Sequence, residues 1–111
     1  MILRNIIRAA VVVALVAAMP AHADDCLLPP PPSKIPDGAT ANQQEMVNAM
    51  NTLKEYNGDV NVYLQCLDFQ AKQNRLAAGV RDLKHDAAVT ELQSIADKFN
   101  QQVRLFKSKH G

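Results

Sequence analysis

A chain of 111 residues with no Trp, three Phe, two Tyr and two Cys holds material for one small domain with a thin core. Twelve Lys and Arg against eleven Asp and Glu give a formal charge of +1. That near balance excludes the broad basic footprint expected of a nucleic-acid-binding protein, so no nucleic-acid partner is expected.

Residues 1–23 read as a secretory signal peptide. Arg4 and Arg8 precede an apolar run from Ala9 to Met19, and Pro20 leads into the small-x-small ending Ala21-His22-Ala23. Cleavage after Ala23 would deliver the chain to the periplasm or the medium. A retained membrane anchor is the alternative, but the apolar stretch is far shorter than the ~20 residues of a spanning helix. A lipid-modified Cys26 would want a small residue before it, and Asp25 stands there. Removing these residues, which hold two Arg and no acid, leaves 88 residues with a net charge near −1.

In an exported chain an even cysteine count reads as a disulfide, and Cys26 and Cys66 permit one intramolecular pairing. Their separation and the lack of a Cys-x-x-Cys or a histidine cluster speak against a redox pair or a metal site. Four prolines, Pro29 to Pro32, with Pro36 further on, predict a stiff extended segment over residues 24–39.

Asp37-Gly38 supplies turn chemistry, and Thr40 followed by Gln43 has capping-box spacing, so a first helix is expected from Thr40 or Ala41 to about residue 74. Its stripe, Met46, Met50, Leu53, Asn57, Val60, Leu64, Leu67 and Ala71, alternates steps of four and three in the manner of a coiled coil. Tyr56 and Tyr63 flank the same face. The stripe keeps its phase across Asn57-Gly58, which predicts one continuous helix with a weak point; Asn57 is either a buried register-setting amide or a partly exposed residue beside a kink.

Leu76, Val80 and Leu83 have helical spacing out of phase with both neighbouring stripes, so the connection falls within residues 72–86. Gly79 is the preferred turn marker, with Asn74 close by; a second helix starting at His85-Asp86 is the alternative. Val89, Leu92, Ala96, Phe99, Val103 and Phe106, thickened by Ile95, mark a second amphipathic helix ending near residue 108, with basic residues suited to its carboxyl end.

Length arithmetic ties the pieces together. Thr40 to Cys66 is 26 residues, ~39 Å of helix at 1.5 Å per residue. Cys26 to Thr40 is 14 residues, ~43 Å of polyproline conformation. The extended segment therefore reaches back antiparallel along the first helix to Cys66, laying Leu27, Leu28 and Ile35 against the hairpin. A Pro-x-x-Pro ligand is the competing use of the same prolines.

The stretches "PSKIPDGATANQQEM", "YLQCL" and "FNQQVRLFK" resemble those of a family of small, uncharacterised exported proteobacterial proteins predicted to be helical hairpins. The resemblance covers about Pro32 to Leu67 and His85 to Lys107 and is weakest over residues 70–84. It implies export and helix and carries no catalytic or binding residues.

No catalytic, cofactor or metal constellation stands out. His85 and His110 lack ligand spacing, and Asp82 and Asp86, four apart on a helix face, sit among Arg81 and Lys84 as a solvated face would. Lys98, Arg104, Lys107 and Lys109, with no acid after Lys98, form a basic end that meets an anionic membrane or lipopolysaccharide surface or complements the helix terminus. The expectation is an all-α antiparallel helical hairpin with its proline-rich segment tied back by a Cys26–Cys66 disulfide. It is read as a non-enzymatic exported module without cofactors, fit to form a homodimer or to bind a partner helix; peripheral binding to anionic surfaces through the basic end is the alternative.

Overall fold

The computed structural model describes residues 25–111. The signal-peptide reading and its anchor alternative lie outside the described residues. Two helices, α1 (Gln43–Lys72) and α2 (Ala78–His110), pack against each other, and no strand occurs among the described residues. An extended strap of residues 25–37 precedes them.

Cys26 is bonded to Cys66, with Cα atoms 5.6 Å apart, well inside the reach of a disulfide. From there the strap descends α1 in reverse. Pro30 and Pro32 lie beside Thr52, Glu55, Tyr56 and Asp59; Ser33 to Pro36 lie beside Glu45, Asn48, Ala49 and Thr52. The strap spans the expected distance with Ile35 against the core, whereas Leu27 and Leu28, expected against the hairpin, are exposed; the disulfide closes a loop of about 41 residues, worth ~4 kcal/mol in the chain-entropy account.

At the far end the strap turns a tight corner. The Asp37 carboxylate accepts from the Ala39 N–H at 2.9 Å, and the Asp37 carbonyl accepts from Thr40 and Ala41 at 3.1 and 2.8 Å. Gly38 is pressed on α2: its N–H donates to Gln102 Oε1 at 2.8 Å, and a Cβ there would stand 1.9 Å from the Gln102 carbonyl oxygen. The glycine is required by close approach, since its backbone is not left-handed.

Helix α1 begins two residues later than the capping-box reading. Thr40 is consumed in the corner, and the cap is Asn42, whose Oδ1 accepts from the Glu45 N–H at 2.8 Å. The helix runs unbroken through Gly58, as expected. Its buried face differs from the expected stripe. Met46, Tyr56, Val60, Tyr63 and Leu67 are buried, with Ala49 and Leu53 half-buried between them, whereas Asn57 and Met50 are exposed. The tyrosines belong to the seam itself. The strap covers one flank of α1, and burying that flank as well rotates the apolar arc from Asn57 and Leu64 toward Tyr56 and Tyr63.

The turn contradicts Gly79 as its marker, since Gly79 lies inside α2. Asn74 ends α1 instead, in the left-handed region at φ 56°, with its N–H donating to the Ala71 carbonyl and that of Arg75 to the Gln70 carbonyl at 2.9 Å. That pair of bonds is a Schellman cap with Asn in the glycine position. Across the turn Arg81 Nε donates to Asp68 Oδ1 at 2.7 Å, joining α2 to α1. The start of α2 at Ala78 also excludes the alternative start at His85-Asp86, and the helix ends at His110, two residues beyond the expected end.

On α2 the buried residues are Ala88, Ile95 and Phe99, with Leu92, Val103 and Phe106 half-buried. Tyr56, Val60, Tyr63 and Leu67 cluster with Ala88 and Ile95; Ala41 and Met46 cluster with Phe99. The start of α1 therefore meets the later part of α2, so the helices run antiparallel. Among the described residues Val60 and Leu67 are the fully buried large side chains, each contributing roughly 1.5–3 kcal/mol.

Candidate functional site

The strap touches α2 closely at Gly38 but stands away from it near the disulfide, and a groove of about 620 Å³ opens there. Cys26, Leu28, Pro29 and Pro31 form one wall, Tyr56 and Tyr63 the floor, and Lys84, Ala87, Ala88 and Glu91 the other wall. Two successive alanines leave the α2 wall shallow, which is why the groove stays open.

Burial raises the Tyr56 phenol above its ordinary value, and the negative charge of Glu91 raises it further. Leu28 is 62% exposed at the groove's rim, and Leu27 beside it is 83% exposed. Val80 and Leu83, from the stripe that fitted neither seam, are 43% and 74% exposed, Leu83 one turn before Ala87. Leu76, the third member, is half-buried against the core.

The sequence-predicted basic residues all lie on exposed positions of α2. At about 100° per residue Lys98 and Lys109 fall on one side and Arg104 and Lys107 on the other, so a flat anionic surface meets one pair at a time. Lys98 borders a shallow depression with Asp37. The two candidate carboxylates point to separate neighbours: Asp82 accepts from Arg81 Nη1 at 3.0 Å, and Asp86 Oδ1 lies 3.3 Å from His85 Nδ1. His110 Nδ1 donates to the Phe106 carbonyl at 3.0 Å and its ring stacks on Phe106, which serves the helix end. Among the described residues no cluster of three or more His, Cys, Asp or Glu is placed to hold a metal ion.

Sequence reasoning missed the groove. Its signals were the heptad spacing of Tyr56 and Tyr63 and the small pair Ala87-Ala88, each commonplace without the strap's position. No family model, curated protein or solved structure matches this chain. The functional reading therefore rests on the groove's own residues.

Proposed function

We propose that this chain is a non-enzymatic interaction module of the cell envelope, exported with removal of its first 23 residues, and that the open groove and the apolar side chains around it are its binding face. One observation carries the reading: Leu28 lines a mostly apolar groove, and Leu27, Val80 and Leu83, close in sequence to its lining residues, are exposed in a domain whose own core is too thin to cover them. The Cys26–Cys66 bond suits an oxidising compartment, and the resemblance of the two ends of the chain to small exported hairpin proteins points the same way. Adsorption to anionic membranes through Lys98, Arg104, Lys107 and Lys109 has weaker support, because those cations do not share a face.

A photo-crosslinking amino acid at Leu83, in cells that export the chain, tests the reading. The expected result is a discrete crosslinked protein product that disappears when the probe is moved to Asn57, an exposed site on the other flank of α1. Only uncrosslinked chain at both positions would overturn it.

A further inference from the structure

The binding face has a self-complementary charge pattern. Lys84 and Glu91 are seven residues apart on α2, so after two turns they lie within about 20° of one another, with Ala87 and Ala88 between them. Seven residues of rise, about 10 Å, is too long for the two to pair within the helix. Among the described residues neither takes part in a salt bridge. The helix thus carries one cation and one anion, equally offset from a small-residue centre, on the edge of an apolar groove.

A two-fold interface requires that residue i meet residue j while j meets i. We propose that a second copy of this chain docks on this face, its α2 running antiparallel to the first and crossing it at Ala87-Ala88, so that Lys84 of each copy meets Glu91 of the other. Exposed Ala87 lets the helix axes approach while Ala88 stays in its own hairpin's core, and Val80 and Leu83 pass out of water on the same side. A parallel arrangement would set Lys84 against Lys84 and Glu91 against Glu91, so the charges select the antiparallel one. The product is a four-helix assembly in which the strap of each copy, whose Leu28, Pro29 and Pro31 line the same groove, borders the interface. This rests on the interaction-module reading and narrows its partner to a second copy.

Light scattering on the exported, disulfide-bonded chain reads the outcome. Wild type is expected to form a dimer in the range of tens of micromolar. Lys84→Glu alone or Glu91→Lys alone turns both reciprocal contacts repulsive and raises the dimer Kd by about tenfold or more. Mixing the two single variants restores attraction at both contacts and returns the Kd to near the wild-type value, a recovery that no folding defect produces. A wild type that stays monomeric at several hundred micromolar overturns the inference, as does a dimer indifferent to both reversals or a mixture no tighter than its components. If the chain is monomeric yet Leu83 crosslinks to another protein, the second copy falls and the interaction-module reading stands.

Discussion

The two ends of the strap are held by different means. At Gly38 the backbone lies directly on α2, with an N–H bonded to Gln102 and no room for a methyl group. At Cys26 the strap is bonded to α1 and stands off α2, leaving the groove between them. Non-covalent packing suffices where three segments converge on Met46 and Phe99, but where the strap has no third surface to lie on, a covalent bond takes its place. A domain with few large buried residues has one closed end and one end left open; Leu27, Leu28 and Leu83 are among the most exposed apolar side chains, at 83%, 62% and 74%, with Val47, Met50 and Leu105 near the closed end at 41–42%.

Breaking the covalent anchor should have the largest effect. Replacing Cys26 and Cys66 together by Ser frees the open end and should lower unfolding stability by about 4 kcal/mol, measured by urea denaturation. The Gly38 N–H, bonded to Gln102 Oε1, should keep its protection from amide exchange in that variant. A loss below about 1 kcal/mol would mean that packing alone seats the strap at both ends.

The closed end is broken by one methyl group. Gly38→Ala drives a Cβ into the Gln102 backbone, which cannot yield as a flexible side chain can, and should cost about 2–3 kcal/mol. Gly58 is the internal control: nothing lies within 4 Å of its Cβ position, and it sits in a continuous helix. Gly58→Ala should therefore stabilise the chain by about 0.5–1 kcal/mol in the same assay. Opposite signs at two glycines separate close approach from helix propensity; equal signs would refute the described contact.

How much of this was legible in the sequence follows from the range of each cue. The strap's course was readable because reach depends only on residue counts, and the two cysteines admitted one pairing. The continuity of α1 through Gly58 was readable from the phase of its stripe. Local cues failed where two residues competed for the same position. Thr40 and Asn42 both suit a cap, but Asp37 had already drawn Thr40 into the corner, and Asn74 took the turn position expected of Gly79. The tyrosines were placed on the flank instead of in the seam because the stripe was read from the period of α1 alone, without the flank that the expected strap would cover. The groove was illegible for the same reason, since it is the space the strap leaves uncovered.

The smallest effect concerns the floor of that groove. Tyr56 is held neutral by burial first and by Glu91 second, so its ionisation in the folded chain lies above the ordinary tyrosine value near 10. The stability this contributes is fully present below the unfolded value and is lost as pH rises through the folded one. Nothing should change at neutral pH, and alkaline unfolding should set in above about pH 10. Lys84 on the groove wall, and Asp59 and Glu55 on the strap side, are the other charges nearby. In a titration of labelled tyrosine carbons, Glu91→Gln should bring the Tyr56 ionisation down toward the ordinary value without reaching it, because burial, the larger cause, remains. If Tyr56 in the unsubstituted chain ionises at or below the ordinary value, the phenol is not enclosed by strap and helices, and the open end is looser than described.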